Sequence, residues 1–353
     1  MNSTLLDKSV KVLLVIVLSF VLLYYGKPFL VPSLIASLLA MLVLPLCAKM
    51  ERKLNKGLAV AISLLLVLFV ITVIIGVFAW QVADISDKAP QIQKNITEKV
   101  AQLRQFATNT FGISEQKQEQ IIQQQQQSST GRLSTMMSGF FSSFGSFLTD
   151  FLIVMVYIFL FLLFRTHLQR FVLKLVPKQE QGNAQTIMHD VRRVSQKYLT
   201  GLALMIACLW VMYAIGFSIV GVENAIFFAI LCGLLEIVPF VGNLTGIAIT
   251  LLMTLAQGGN TNMLIGILII YAVVQFTQSY LLEPLIVGHE ISINPVFTIV
   301  GIVGGELLWG IPGMILALPL LGMIKIVCDH IEPLKPFGYL IGEEKKKDAK
   351  GGG

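Results

Sequence analysis

The feature that most constrains this chain is an apolar stretch over residues 234–319 that Gly and Pro interrupt repeatedly. The acidic side chains inside it include Glu236, Glu283 and Glu306. A carboxyl group at bilayer depth costs about 3 kcal/mol or more unless it faces a partner or a wet cavity. Broken helices are tolerated there only where they line such a cavity or are covered by protein. The stretch therefore predicts a polar pathway through a membrane rather than a plain lipid anchor.

The composition agrees with a membrane environment. Of the 353 residues, 55% are hydrophobic and only 13% are charged, whereas soluble domains carry about 25% charged residues. The Lys and Arg residues cluster at the ends of apolar spans, as membrane orientation requires. The net charge of +6 therefore does not indicate nucleic acid, and we expect the lipid bilayer to surround most of the chain.

The sequence lacks the residue patterns of several kinds of metal-binding and catalytic site. The four Cys residues show no metal-like spacing and are expected to pack within apolar spans. His289 and Glu290 do not form a zinc-protease motif, because Ile293 stands where the second His is needed. The sequence also contains no phosphate-cradling loop and no plausible Ser/His/Asp set. We therefore expect no metal, no cofactor and no enzymatic activity.

The order of apolar and polar segments predicts an all-α, polytopic membrane protein with about 8 membrane segments, including two broken or re-entrant hairpins. Loops rich in Lys and Arg stay in the cytoplasm, which places both termini inside and residues 82–146 outside. The predicted parts are 1–81 (three membrane helices), 82–146 (an external helical insert with a Gln-rich linker), 147–164 (a fourth membrane helix), 165–197 (a cytoplasmic amphipathic helical segment), 198–330 (a C-terminal core with the broken hairpins) and 331–353 (a basic cytoplasmic tail).

Two segments of the C-terminal core, 225–256 and 296–327, predict the broken hairpins. In the first segment Pro239 removes a backbone donor, and Gly242 begins a pair of small residues that lets two helices approach closely. The second segment is interrupted by Pro312 and by several Gly residues. Paired broken segments in the two halves of a transporter mark its binding site. We therefore expect the two hairpins to be opposed in the membrane.

The polar residues near these breaks each have more than one interpretation. Glu236 is either a protonatable coupling site or a structural residue that forms an ion pair or caps a backbone donor. Glu283 is either functional or a charge that is solvated or clamps a loop, and Glu306 is a candidate for the pathway. The remaining candidates are amides that either bind a polyhydroxy solute or join helices by hydrogen bonds: Asn243, Gln275 and Gln278.

Two amphipathic patterns lie outside the core. In the external insert, an apolar stripe at helical spacing indicates a helix packed on the protein or on the membrane surface, with substrate gating as the alternative. Gln-rich and Phe-rich segments follow it and predict a linker and an interfacial helix. In 165–197 the pattern predicts a helix at the anionic leaflet or a contact with a neighbouring subunit. The external stripe consists of Ile92, Ile96, Val100 and Leu103.

Short motifs occur together in the C-terminal core: Val238-Pro-Phe-Val-Gly242, Glu283-Pro-Leu-Ile-Val-Gly288, Asn294-Pro295, Gly304-Gly305 and Gly310-Ile-Pro-Gly-Met314 with Pro319. In combination they resemble the signature of the autoinducer-2 exporter (AI-2E) family of bacterial transporters. The resemblance covers roughly residues 10–335. It implies a multi-pass protein of the bacterial inner (cytoplasmic) membrane that forms homo-oligomers and exports autoinducer-2, a small polar signal.

Two residues depart from the commoner pattern of that family. Glu236 stands where many members have Asn or another uncharged residue before the Pro, and Asn243 follows the Gly where Pro is usual. Both residues add polarity at the break. The departure favours an ion-coupled mechanism.

Three functions remain open from the sequence. The first is a secondary transporter that exports a small polar signalling solute such as autoinducer-2, along a path between the two hairpins and the span 263–282. The second is a sodium (lithium)/proton antiporter on the same scaffold, which some members of the family resemble. The third is a membrane scaffold protein that transports nothing and would need no acids at bilayer depth.

Overall fold

The computed structural model describes residues 3–88, 90–92, 94–98, 101, 149–239, 241–287 and 293–343. Within these residues the chain is almost entirely helical, with one isolated β-bridge between Ile293 and Gly342. The Gln-rich linker, the Phe-rich interfacial helix, His289 and Glu290, and the basic tail from 344 onward lie outside the described residues.

The N-terminal half of the described chain forms five long helices. Helix α1 covers Ser3–Tyr25, α2 covers Lys27–Met50 and α3 covers Lys56–Asp87. Helix α4 covers Thr149–Leu175, and α5 covers Gln181–Val220. Helices α2 to α5 are each long and apolar enough to cross a membrane, while the apolar part of α1 is shorter.

The C-terminal half alternates short and longer helices. They are α6 (Ala225–Leu235), α7 (Val241–Ala256), α8 (Thr261–Thr277), α9 (Pro295–Trp309), α10 (Ile311–His330) and α11 (Lys335–Ile341). Helix α8 continues as a π-helix over Gln278–Val287, and with this extension it is also long enough to span, as is α10. Six helices of the described chain thus meet the length and apolarity of a membrane span, and the predicted all-α, polytopic fold is confirmed.

Helix α5 is a single helix of 40 residues, about 60 Å long at 1.5 Å per residue. Because the hydrocarbon core is about 30 Å thick, part of α5 extends beyond it. The predicted segment 165–197 is divided between two helices, since residues 165–175 belong to α4 and residues 181–197 begin α5. The interruption falls near Pro177 because the residue before a proline avoids the helical region.

The C-terminal part of α5 lies in the main hydrophobic core. Tyr213 and Phe217 stack with ring centroids 5.3 Å apart, and they share a buried cluster with Phe228 of α6 and Ile267 of α8. All four side chains are fully buried, and burial of each contributes about 2 kcal/mol. This core fixes α6 and α8 against the same face of α5.

Helices α6 and α7 form hairpin 1, which begins and ends at the same end of the molecule. Gln257 Nε2, just after α7, donates to Asn224 Oδ1, just before α6, at 3.2 Å. A Cβ on Gly242 would lie 1.7 Å from the carbonyl oxygen of Leu235, so the missing side chain lets the start of α7 pack directly on the end of α6. The close approach predicted at Gly242 is confirmed.

Helices α9 and α10 form hairpin 2. Gly310 turns the chain with φ +70°, and a Cβ on Gly305 would lie 2.4 Å from the carbonyl oxygen of Gly313. The base of this hairpin lies against the start of α5, where Asn183 Nδ2 donates to the carbonyl of His330 at 3.2 Å. Hairpin 1 instead follows the C-terminal end of α5. The two hairpins therefore approach α5 from opposite ends.

Candidate functional site

A hydrogen-bonded group of polar side chains lies at the tip of hairpin 1. Gln278 Nε2 donates to Glu236 Oε1 at 2.9 Å. Gln275 Nε2 donates to Gln278 Oε1 and to the hydroxyl of Tyr213, both at 3.3 Å. Tyr213 is 1% exposed and Gln278 is 9% exposed. We call these four residues the tip cluster, in which an amide rather than a basic side chain contacts the acid.

The length of α6 sets the depth of the acid. The 11 residues of α6 span about 16 Å, and Glu236 follows the last of them. A hydrocarbon core is about 30 Å thick. If the base of hairpin 1 lies at one membrane surface, Glu236 lies close to the midplane, where an acid requires a partner or water.

Local backbone chemistry explains why these residues meet. Pro239 lies in the turn after α6 and has no N–H to continue a helix, so the chain reverses into α7. On the facing element, Gln275 lies in the last turn of α8 and Gln278 begins the π-helical segment. Pro284 lies inside that segment, where its missing N–H and its ring disfavour the ordinary α-helical register. π-helical turns occur frequently at functional sites.

Two more of the predicted residues belong to the same turn. Gly242 N donates to the carbonyl of Val238 at 3.0 Å, and Gly242 permits the close approach described above. Asn243 follows it in the first turn of α7. The Oδ1 atom of Asn243 is buried and has no hydrogen-bond partner in the described part of the chain, so it is an acceptor available to a solute or to water.

Glu306 and Pro312 lie away from the tip cluster, whereas Glu283 is near enough for its charge to repel that of Glu236 but joins none of the described hydrogen bonds of the cluster. Glu306 is exposed on α9, and Glu283 is exposed on the π-helical segment. Pro312 lies in the first turn of α10, where a missing N–H would have no partner in any case. Trp309 Nε1 at the tip of hairpin 2 donates to the carbonyl of Leu23 in α1 at 2.9 Å.

Hairpin 2 packs on α5, α2 and α1. Among the described residues it forms no extensive contact with hairpin 1 or α8. The described residues therefore do not enclose the path between the two hairpins and α8 that the sequence suggested. The polar elements that do meet are the tip of hairpin 1, α5 and the end of α8.

A second polar group, which the sequence analysis missed, joins the base of hairpin 1 to α3. Asn224 Nδ2 donates to Gln81 Oε1 at 2.9 Å and to Asp84 Oδ2 at 2.7 Å. Asn224 has a left-handed backbone with φ 59°, which Asn tolerates better than most residues. Its position between the end of α5 and an apolar run was the one sequence signal for this contact.

An ion-paired lysine completes this second group. Lys88 Nζ lies 2.7 Å from Asp84 Oδ2 and 2.8 Å from Glu223 Oε1. The hydrogen bonds that Lys88 donates to Asp84 and then to Glu223 raise the pKa of Lys88 above its ordinary value. Lys88 therefore stays charged at neutral pH. We call the following residues the base cluster: Gln81, Asp84, Lys88, Glu223, Asn224 and Gln257.

The opposite end of the molecule has an ion pair of its own. Arg165 of α4 donates through Nη1 to Glu51 Oε1 at 2.7 Å and through Nη2 to the other carboxylate oxygen. The hydrogen bonds from Arg165 lower the pKa of Glu51. This bidentate pair ties the end of α2 to α4. In the described residues no group of His, Cys, Asp and Glu could hold a metal ion.

Broken hairpins in a polytopic helical protein are the kind of element at which transporters form their binding sites. The particular family is defined by the sequence comparison. The profile described as AI-2E family transporter matches residues 13–332, and the chain belongs to that family. The six helices of spanning length among its described residues make it a multi-pass membrane protein.

Individual relatives carry the same general description. The chain is 26% identical over 156 residues to "Putative transport protein YrrI" of Bacillus subtilis. The aligned region covers 44% of each of the two chains. The chain is 23% identical over 276 residues to "Putative transport protein YhhT" of Escherichia coli K12, covering 78% of this chain and 76% of that one. The match thus spans less than half the length of the Bacillus relative, and these names specify no substrate.

Proposed function

We propose that the protein exports a small polar solute by a secondary mechanism in which Glu236 takes up a proton or cation. The tip cluster is the observation that carries this proposal. The Glu236 carboxylate accepts a hydrogen bond from Gln278, and its described partners also include Gln275 and the like-charged Glu283, but no basic side chain. A carboxylate in such a setting changes its charge when a proton or cation arrives, because no fixed positive charge neutralises it.

The surrounding groups fit recognition of a polar solute. Gln275 and Gln278 present amide groups at the end of α8, and Asn243 Oδ1 is an unpaired acceptor on α7. Amides and hydroxyls can replace the hydration of a molecule that carries several hydroxyl groups. Autoinducer-2, the solute implied by the family, is of this chemical class, and we propose it as the first candidate.

The proposal includes the membrane and its sidedness. We place the protein in the bacterial inner membrane with both termini and the Glu51–Arg165 pair in the cytoplasm. The base cluster and residues 82–146 then face the outside. Glu306 lies on the exposed surface of α9 among apolar neighbours such as Val303 and Leu307, which supports a homo-oligomer in which another subunit covers this acid.

Sodium (lithium)/proton antiport is the second candidate function. One observation favours it: Glu236 and Asn243 put a carboxylate and an unpaired carbonyl oxygen at a single turn. Oxygen ligands of this kind suit small hard cations. Antiport would use the same tip cluster but would need no organic solute.

Flux measurements in inside-out membrane vesicles separate these functions. Vesicles with the wild-type chain, with Glu236→Gln and with Glu332→Gln are supplied with autoinducer-2, Na⁺ or Li⁺ while internal pH is followed. Glu332 is the control because it is an acid outside the spanning helices, and its side chain is 82% exposed.

Each function predicts a different pattern. Export predicts accumulation of autoinducer-2 in the vesicles that Glu236→Gln abolishes and Glu332→Gln preserves. Antiport predicts Na⁺- or Li⁺-driven pH changes with the same dependence on Glu236. A scaffold predicts no flux with either solute or cation, and this result would overturn the proposal.

A further inference from the structure

One face of α7 has polar side chains near both of its ends and at its middle. At 100° per residue, positions 243, 250, 254 and 257 fall within an arc of about 60°. The side chains there are those of Asn243, Thr250, Thr254 and Gln257, where Gln257 directly follows the helix. We call these four residues the α7 polar face. It begins next to the tip of hairpin 1 and ends in the base cluster, about 21 Å away.

The polar groups on this face are buried and incompletely paired. Thr250 is 0% exposed and Thr254 is 1% exposed. Three buried oxygens have no hydrogen-bond partner among the described groups: Asn243 Oδ1, Thr254 Oγ1 and Gln257 Oε1. An unpaired buried polar atom costs about 1–3 kcal/mol, and all three lie on this one face. Bound water is the usual partner of such groups.

The opposite face of the same helix provides a contrast. Thr245 is exposed, and its Oγ1 donates to the carbonyl of Val241 at 2.7 Å. That hydroxyl is satisfied within its own helix, as is expected for a threonine that faces lipid. Thr250 makes the same kind of bond, to the carbonyl of Gly246 at 2.8 Å, so the hydroxyl that lacks a described partner on the α7 polar face is that of Thr254.

A native cysteine lies against this face. Cys232 of α6 is 4% exposed, and its Sγ is 3.5 Å from Thr250 Oγ1. A Cβ on Gly246 would lie 3.2 Å from Cys232 Cα, so α6 and α7 are at close range there. Cys232 therefore reports on the middle of the α7 polar face without any substitution.

We propose that the α7 polar face binds a file of water molecules that carries protons between the base cluster and Glu236. The oxygens of Asn243, Thr254 and Gln257 provide acceptors at both ends of the file, and Thr250 provides a hydroxyl between them. The path runs inside hairpin 1 and does not require hairpin 2. The role of the file as a proton route depends on the proposed function of Glu236, whereas its hydration does not.

Radiolytic hydroxyl-radical footprinting of the full chain in lipid vesicles tests the hydration. Radicals formed from bound water oxidise adjacent side chains, and mass spectrometry quantifies each cysteine separately. We expect oxidation of Cys232 despite its burial. Cys47 is fully buried and lies beside the Glu51–Arg165 pair, so it serves as an internal reference for a cysteine away from hairpin 1.

Matched variants assign the water to this face. Thr250→Val with Thr254→Val keeps the side-chain shape and removes both hydroxyls, and we expect Cys232 to lose most of its oxidation. Thr245→Val changes the same helix on its lipid-facing side and should leave oxidation of Cys232 unchanged. Equal thermal unfolding temperatures of the two variants would show that the fold is intact.

The outcomes separate this inference from the proposed function. Unoxidised Cys232 in the wild-type chain, or equal oxidation in both variants, would overturn the water file while leaving transport by Glu236 intact. Oxidised Cys232 together with normal flux in Glu236→Gln would instead support the water file and reject Glu236 as the coupling acid. Slower flux in the double valine variant, with normal flux in Thr245→Val, is the result expected if both are correct.

Discussion

In hairpin 1 the acid lies at the tip, where Gln278 donates to Glu236; in hairpin 2 the acid lies one turn before the tip, and Glu306 is exposed on α9. The tip of hairpin 2 is instead fastened by Trp309, whose indole donates to the backbone carbonyl of Leu23. Both hairpins are punctuated by Gly and Pro in much the same way. The two hairpins therefore differ in the hydrogen-bond partners of their tips and not in their pattern of Gly and Pro residues.

This difference suggests that the two hairpins have different functions. A backbone carbonyl cannot change its charge, so the contact between Trp309 and Leu23 does not respond to a proton. A carboxylate held by neutral amides can change its charge, so the contact between Gln278 and Glu236 can respond to a proton or cation. We infer that hairpin 1 is the responsive element and that hairpin 2 is held to α1 and α5.

The largest expected effect is a loss of stability when the close packing at glycine, which both hairpins share, is disrupted. Gly242→Ala would place a Cβ 1.7 Å from the carbonyl oxygen of Leu235, and Gly313→Ala would place one 1.9 Å from that of Gly305. Neither contact can be relieved without moving backbone. We expect each variant to lose about 3 kcal/mol or more of stability, measured as loss of folded protein after detergent extraction.

Gly304→Ala is the matched control for this prediction. A Cβ on Gly304 would meet nothing within 4 Å, although Gly304 is adjacent to Gly305 in α9. We expect Gly304→Ala to extract like the wild type. If Gly242→Ala and Gly313→Ala are as stable as Gly304→Ala, the hairpins do not close through these glycines.

The next effect tests the difference directly. Glu236→Gln keeps the shape of the side chain and removes its ability to bind a proton, so we expect coupled flux to fall about 100-fold, the scale of losing a proton-transfer group. Glu306→Gln should change flux per folded molecule by no more than about twofold. Both are measured in vesicles containing equal amounts of protein. The reverse order would make hairpin 2 the responsive element.

Much of the fold was predictable because its signals are local. Pro239 and Gly242 lie within one turn, and they predicted the break and the close approach that the structure contains. The continuity of α5 across residue 197 was harder to predict. The side chains change there from polar to apolar, but a helix ends only where its backbone is interrupted.

The contacts of the candidate site depend on residues far apart in the chain. Gln278 is 42 residues from Glu236, and Gln81 is 143 residues from Asn224. No helical or strand period connects such positions, so a single sequence predicts the polar residues but not their pairing. Glu306 shows the same limit, since its sequence surroundings resemble those of Glu236 while its partners differ.

A smaller effect is expected at the base of hairpin 1. Asn224→Ala removes the hydrogen bonds to Gln81, Asp84 and Gln257. It also places alanine in the left-handed backbone conformation of this position, at φ 59°. We expect a loss of about 2 kcal/mol in unfolding free energy. Asn224→Gly removes the same bonds but relieves the backbone, so it should be less damaging than alanine. Equal losses would mean that the hydrogen bonds alone determine the effect.

The smallest effect is the pH dependence of that base. The pKa of Lys88 is raised by its hydrogen bonds to Asp84 and Glu223, so its contribution to stability is fully present below the unfolded pKa of about 10.4. The contribution is lost as pH rises through the folded pKa. At pH 8 we expect the wild type to unfold about 1 °C above Lys88→Met, and this difference should vanish at pH well above the folded pKa. The corresponding contact of hairpin 2, from Asn183 to a backbone carbonyl, has no group that titrates in this range. The difference in unfolding temperature between the wild type and Asn183→Ala should therefore stay constant as pH rises. A constant difference for Lys88→Met as well would show that the aliphatic part of the side chain, rather than its charge, stabilises the base of hairpin 1.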